Sequence, residues 1–479
     1  MKKIIKAEVV RKPTLYFFLL LFFITTSGII FIRTQYMNYY ISNSDSKYYL
    51  LPAYNLVKHH VYSSDIGPEK YPSVYREPLY PLFLSMFMIS NNKMTDGEFN
   101  ERINNDTFDM DSLGLHIIKY ANFSIYILIC IFTSYAVLLL TRSFIMAGLA
   151  PYLFLLYPAN VQVMINSITP ELLGTLLITI LSVTSLKFIR TNRMFYLLCA
   201  SMVSGMLTLI KAHFEFLLLI NVVLLILSFN KLGINRSHRK NYLMLHVLTI
   251  ILVVSPWIVR NYINFHKIMI SERGGIILAY RVEYNRMNLK EFVFSIPYFF
   301  DFKPYINAVL SSGFITEIDV ARLERTNPKG FYQTARTRRS NYMRIYNDST
   351  VADGMLKKDC IVDIIRSMPK HILTTIPLFF SGTSLQFENE DAWILPKKLA
   401  YFFGLVMLYP VFFLSVRKGH FDKAGFFLPA LYNISFMSFL THNIPRYNRL
   451  LFPFILIIFM LIFHKIVTKL CKINFPNAQ

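Results

Sequence analysis

"TLYFFLLLFFITTSGIIFI", residues 14–32, carries no charge over a length close to the roughly 20 residues a helix needs to cross the hydrocarbon core of a bilayer. It follows the basic opening "MKKIIKAEVVRKP", is longer than the apolar region of a typical signal peptide, and ends without an A-x-A site. It reads as an uncleaved first span with its N-terminus in the cytoplasm. Comparable runs recur near 114–140, 144–164, 169–188, 195–211, 213–229, 242–258, 398–416, 424–441 and 450–467. With the first run, near 14–33, they predict a multi-pass, all-α integral membrane protein with a bundle of about ten transmembrane helices. Composition agrees: 54% of residues are hydrophobic and 16% charged, and the mean hydropathy is +0.41.

The connectors divide by chemistry. "KFIRTNR" (187–193), "KLGINRSHRK" (231–240), "RKGHFDK" (417–423) and "HKIVTKLCK" near the end are basic, and all fall on the side of the N-terminus. The positive-inside rule makes that side, with both termini, cytoplasmic. The formal net charge of +22 is then explained by basic loops facing anionic lipid, and no nucleic-acid partner is implied. Four cysteines without paired spacing predict neither a disulfide framework nor a cysteine zinc site.

Two long segments remain for the outer side. Residues 34–113 hold a short apolar stretch, "PLYPLFLSMFMI" (78–89). Residues 259–397 hold the arginine-rich "RTNPKGFYQTARTRRSNYMR" (325–344) and a second short apolar stretch at 371–382. Stretches this short are read as interfacial or re-entrant helices. The organisation expected is an N-terminal transmembrane module over 1–258 that includes the outer loop 34–113, a large outer region over 259–397, and C-terminal helices with a basic tail over 398–479.

The ionisable residues at the predicted outer ends form a one-sided set: Asp45 in "ISNSDSKYYLL", Arg76 and Glu77 in "YREPLYP", Glu171 in "NSITPELLG", Lys211, His213 and Glu215 in "LTLIKAHFEF", Arg260 in "SPWIVRNYINF", and His442, Arg446, Tyr447 and Arg449 in "THNIPRYNRLLFP". Each has a structural reading as well. Asp45 fits a solvated carboxylate after a helix exit, Arg76 an interfacial anchor, Glu171 a charge at a helix N-terminus, and Lys211 with His213 the polar turn of a hairpin. As a set, several fixed cations and at least two carboxylates suit a reaction on a phosphate-linked lipid. The cations hold a phosphate leaving group, and a carboxylate takes a proton from an acceptor hydroxyl.

In order and spacing, an Asp after the first span, "REPLYPLF", a Glu opening the fourth span, "GMLTLIKAHF", "SPWIVRNYINF" and "PRYNRLLFPF" resemble the polytopic GT-C-type glycosyltransferases. The bacterial relatives of the dolichyl-phosphate-mannose protein mannosyltransferases and the aminoarabinose transferases are the nearest in pattern. The resemblance implies a GT-C-like bundle in a bacterial cytoplasmic membrane whose site faces outward. The implied donor is a polyprenyl-phosphate-linked sugar, transferred with inversion to a glycan, lipid or protein acceptor of the cell envelope. Asp45 and Glu171 match its acidic catalytic positions, and Arg76, Lys211, His213, Arg260, Arg446 and Tyr447 its donor-binding region. Ser46 follows Asp45 where relatives often show an acidic pair, and Lys211-Ala212 stands where relatives often have Arg-Pro. No cofactor is firmly implied. A divalent metal ion is a candidate, although no HxxxH or HExxH spacing occurs. Two other classes fit the same chain: an O-antigen-type polymerase or ligase relying on the arginine-rich segment 322–344, and a lipid-glycan flippase or transporter.

Overall fold

A computed structural model of the protein describes residues 13–35, 45–88, 95–104, 116–231, 235–383 and 394–474. Every regular element among them is helical. Seven helices are long and apolar enough to cross a membrane: Pro13–Phe31, Ile117–Thr141, Glu171–Thr191, Ala212–Phe229, His238–Phe265, Leu395–Arg417 and Pro445–Leu470.

All ten predicted spans are helical, and three differ in form. The 144–164 run breaks into Phe144–Leu156 and Pro158–Asn166, bent by 81°, where Pro158 supplies no N–H to continue the first piece. Counted as one bent span, the pair raises the total to eight. Met194–Ile210 is apolar but has 17 residues. Phe421–Leu440 contains Pro429, Tyr432 and Asn433, which lower its apolarity, and its stretch from Ala424 to Asn433 is buried in protein. A helix enclosed by its neighbours has no need of a lipid-compatible surface. The helix predicted to end at residue 258 continues to Phe265, and the one after the large segment starts at Ile394.

Helix Glu171–Thr191 is the hub of the bundle. It packs against His116–Thr141, Met194–Ile210 and Phe421–Leu440, and 72% of its apolar window is buried, against 22% for Pro13–Phe31 and for His238–Phe265. The core runs through Phe154, Ile178, Leu181, Phe426, Phe427, Leu450, Phe452 and Ile457. Because lipid tails are as apolar as leucine, close packing holds such helices together, and small residues permit it. Gly205 lies so near Val253 that an added Cβ would stand 2.9 Å from it.

Both polar segments fold onto one end of this bundle. Helix Lys47–His59 packs on Leu79–Met88, with Tyr49 edge-on to Tyr80 at 5.3 Å. In the larger segment Gly274–Glu283 packs on Phe331–Tyr346 and Ser349–Arg366, and the carboxylate of Asp353 accepts from the N–H groups of Gly275 (2.9 Å) and Ile276 (3.2 Å) at the first turn of that helix. Arg281, fully buried, donates to the carbonyl of Phe439 at 3.1 Å and to Asn285 and Thr374, which docks the segment on the end of Phe421–Leu440. At the opposite end of the hub helix, Arg190 pairs with Asp422 at 2.8 Å and donates to the carbonyl of Leu139.

The turn between the last two long helices is set by amides. Asn443 donates to the carbonyl of Leu378 (3.0 Å) and to Ser438 (2.8 Å), and Asn448 donates to the carbonyl of Gly382 (2.8 Å) and to Asn443 (3.0 Å). A Cβ on Gly382 would come within 2.2 Å of both amide nitrogens. Gly382→Ala is therefore expected to lower stability by about 1–3 kcal/mol, read as a lower unfolding midpoint in detergent. Gly354→Ala, with open space around its Cβ, is expected to leave the midpoint unchanged or slightly raised. Equal midpoints for the two variants would contradict this account of the turn.

Candidate active site

Four separate parts of the chain deliver the polar residues, the first of them, residues 45–88, supplying both Asp45 and Arg76. Asp45 lies just ahead of helix Lys47–His59, and the neighbouring Ser46 hydroxyl donates to the carbonyl of Ile168, pinning this point to the approach of the hub helix. Arg76 is in an irregular stretch held by the Tyr62 hydroxyl, which donates to the carbonyls of Arg76 (3.1 Å) and Glu77 (3.2 Å). Glu171 is the first residue of the hub helix, after Pro170. Lys211 sits in the break after Met194–Ile210, and Arg446 in the short helix Pro445–Asn448.

These residues meet in one alternating chain of charge. Arg76 Nη2 is 2.7 Å from Asp45 Oδ1, and Arg446 Nη2 is 2.6 Å from Asp45 Oδ2. Arg446 Nε is 3.4 Å from Glu171 Oε1, and Lys211 Nζ is 3.2 Å from the same oxygen. Tyrosines wall the chain: Arg76 Nη1 donates to the Tyr49 hydroxyl at 3.1 Å and its guanidinium lies 4.6 Å from the Tyr49 ring, while Lys211 lies 4.9 Å from the Tyr447 ring. Arg76 and Glu171 are 3% and 4% exposed, whereas Arg446 and Asp45 are 15% and 25% exposed. Access therefore lies at Asp45 and Arg446.

Burial opposes the charge on Asp45, but the guanidiniums of Arg76 and Arg446 outweigh it and hold the carboxyl well below its usual range. Burial likewise opposes the charge on Arg76, and the surrounding Tyr49, Asp45 and Glu77 more than restore it. Removing one member of such a network costs more than the pair's net worth, because a charge is left buried alone.

A second ring comes from the large segment and the 441–448 turn. The charge of Arg273 acts on both Asp45 and His442, and its guanidinium lies 5.3 Å from the Tyr75 ring. Tyr280 and Tyr332 stack at 4.2 Å, Arg325 lies 4.4 Å from the Tyr332 ring, and His442 meets Tyr280 edgewise at 4.9 Å. Burial, reinforced by Arg325, Arg446 and Arg273, keeps His442 neutral, far below its ordinary pKa. Arg273, Tyr280 and Tyr332 were not candidates from the sequence. Arg325 opened the arginine-rich run, whose other members include structural cations: Arg338 pairs with Asp363 at 2.9 Å and faces Glu283 at 3.6 Å.

Two sequence candidates stand apart from the charge chain. Arg260 donates to the carbonyls of Ser73 (2.8 Å) and Tyr62 (3.0 Å) and packs on Trp257, so it holds the irregular stretch that carries Arg76. His213 pairs with Asn433 at 3.1 Å, and Asn433 donates to the carbonyl of Tyr447, which places His213 behind Lys211 as a support. Among the described residues no three His, Cys, Asp or Glu side chains converge on one point. Two of the partners of Asp45 are guanidiniums, a setting that suits an arriving anion.

No protein-family profile matches the chain, and no characterised protein sequence does. Among solved structures it is similar to the crystal structure of the Archaeoglobus fulgidus oligosaccharyltransferase in the apo form, with 14% identity and a TM-score of 0.47. The match covers 96% of this chain and 52% of that one, so the chain spans about half that protein's length.

The depressed pKa of Asp45 has a measurable sign. Its contribution to stability is complete above the unfolded carboxyl value of about 3.9 and is lost as pH falls from there through the lower folded value. Asp45→Asn should cost about 1–3 kcal/mol at pH 7, less than for a fully buried pair because the carboxylate is partly exposed. The deficit should shrink as the pH of the unfolding assay is lowered below about 4. Parallel curves for wild type and variant down to pH 3 would show that the ion pairs do not hold Asp45.

Proposed function

We propose that the protein is a GT-C-type glycosyltransferase, which moves a sugar from a polyprenyl-phosphate donor to an acceptor hydroxyl at the outer face of a bacterial cytoplasmic membrane. The observation that carries this reading is the convergence of Asp45, Arg76, Arg446, Glu171 and Lys211, from four distant parts of the chain, in one buried network open at Asp45. These are positions at which the sequence resembles that class. The orientation follows from the basic connectors, which belong at the opposite ends of the same helices.

The chemistry follows from the charges. A donor phosphate arriving beside Arg446 and Lys211 competes with Asp45 and Glu171 for them, and a phosphodiester oxygen is a good partner for a guanidinium. As Arg446 turns to the phosphate, Asp45 keeps Arg76 and loses one of its two adjacent cations, which raises its basicity. The acceptor oxygen then bonds to the anomeric carbon on the face opposite the phosphate, and its proton passes to the Asp45 carboxylate. The bond between the anomeric carbon and the phosphate oxygen breaks with its electron pair going to that oxygen, whose new charge is held by Lys211 and Arg446. One displacement inverts the anomeric centre. Glu171 positions the two cations, and Arg76 orients Asp45. The polymerase or ligase reading draws on one observation, that Arg273 and Arg325 of the large segment border the same network; it would make those arginines more important than Asp45.

The test supplies the purified protein in lipid with a panel of labelled polyprenyl-phosphate sugars and a membrane extract as acceptor, and follows release of polyprenyl phosphate. Wild type is expected to release it from at least one donor, and Asp45→Asn about a hundredfold or more slowly. No release from any donor, or full activity of Asp45→Asn, refutes the reading.

A further inference from the structure

We infer that Arg273, Arg325, Tyr280, Tyr332 and His442 form a second subsite, bordering the Asp45 network, which takes a saccharide bearing a phosphate or carboxylate. The inference rests on the glycosyltransferase reading and names the substrate class of its second binding region.

The first support is charge. Asp45, Glu171 and Glu77 face Arg76, Arg446, Lys211 and Arg273, Arg325 lies over Tyr332, and neither Arg273 nor Arg325 is paired with a carboxylate among the described residues. Among the described residues, these three carboxylates against these five cations leave two positive charges over. A polyprenyl-phosphate sugar is a phosphodiester and brings one negative charge, so one cation still lacks an anion when the donor is bound. Within the same segment Arg322 is 2.7 Å from Glu291 and Arg338 is 2.9 Å from Asp363, so two of its arginines do have carboxylate partners.

The second support is hydrogen bonding. His442 is 3% exposed, and neither ring nitrogen has a hydrogen-bond partner among the described residues. A buried polar group left unpaired costs about 1–3 kcal/mol, so a native protein seldom keeps one without use. The Nε of Arg273 is buried and unpaired as well. The third is preorganisation. Arg325 lies over Tyr332, which stacks on Tyr280 with the ring planes 5° apart, and the backbone carbonyl of Arg325 accepts from Gln333 at 2.9 Å. A planar guanidinium held against an aromatic face presents paired N–H groups to a carboxylate or phosphate at reduced entropic cost. His442 links this group to the first network, with its ring 5.6 Å from that of Tyr447, beside Lys211 and Arg446.

The experiment measures binding, independently of turnover, to the full-length protein in nanodiscs. The probes are a glucuronate-containing hexasaccharide, the same saccharide with its carboxylates reduced to alcohols, and a hexasaccharide phosphate. Wild type is expected to bind the uronate or the phosphate form about tenfold or more tightly than the reduced form. Arg273→Gln and Arg325→Gln should each erase most of that preference, and Arg325→Lys should restore part of it. Arg344→Gln, which removes an equal charge from an exposed position, should leave it intact. Equal binding of charged and reduced saccharides by wild type overturns the inference, as does an equal loss in Arg344→Gln, which would mark general attraction to a basic protein. Tight binding of inorganic pyrophosphate without binding of either anionic saccharide also overturns it, in favour of a diphosphate-linked donor. If anion preference holds while no polyprenyl phosphate is ever released, the transferase reading falls and the subsite stands.

Discussion

The carboxylate of Asp45 joins residues that the chain keeps far apart. One oxygen is held by Arg76, 31 positions on, and the other by Arg446, 401 positions on. Through Arg446 the link extends to Glu171 at the head of the hub helix and through Glu171 to Lys211 at the end of its neighbour. The first polar segment, two helices of the bundle and the turn before the last span are thereby fixed to one another at a single point. A slip of any of them by one helical residue, about 1.5 Å along the axis, would break contacts of 2.6–3.4 Å.

That arrangement is expensive to build, and the rest of the fold is consistent with the cost. Charges taken out of water need both counter-ions and hydrogen bonds to be tolerated. The supports are correspondingly dense behind the network: the Tyr62 hydroxyl on two carbonyls, Arg260 on two more, and the linked amides of Asn443 and Asn448 under the turn that carries Arg446. They hold backbone, and the backbone holds the charges.

Much of this was legible in the sequence because hydropathy sets the parity of span ends. Counting apolar runs places Asp45, Glu171, Lys211 and Arg446 on the same side, and the structure brings them together. Residues that bind main chain are harder to read. Arg260 looked like a ligand-facing cation because its partners, the carbonyls of Ser73 and Tyr62, leave no trace in side-chain patterns. The arginine-rich run at 325–344 looked uniformly available, yet Arg338 answers acids at positions 283 and 363 that no local spacing connects to it. Hydropathy also smooths over Pro158, where one apparent span bends by 81°, and it counts Phe421–Leu440 as a lipid-facing span although its Asn433 is buried in protein.

The clamped state of Asp45 looks at first unsuited to a base, since two guanidiniums make a carboxylate reluctant to take a proton. In the proposed mechanism the same clamp makes its basicity conditional. Arg446 faces two carboxylates at once, Asp45 at 2.6 Å through Nη2 and Glu171 at 3.4 Å through Nε. An anion that displaces the closer contact can leave the longer one in place. Arg446 then turns about a retained anchor, and little new order has to be imposed on binding. Asp45, still held by the nearly inaccessible Arg76, keeps its position while its environment becomes less positive. A residue that gains basicity only when a phosphate is present remains inert toward water in the empty site. Coupling of that kind follows from sharing one cation between two acids, and an isolated ion pair could not supply it.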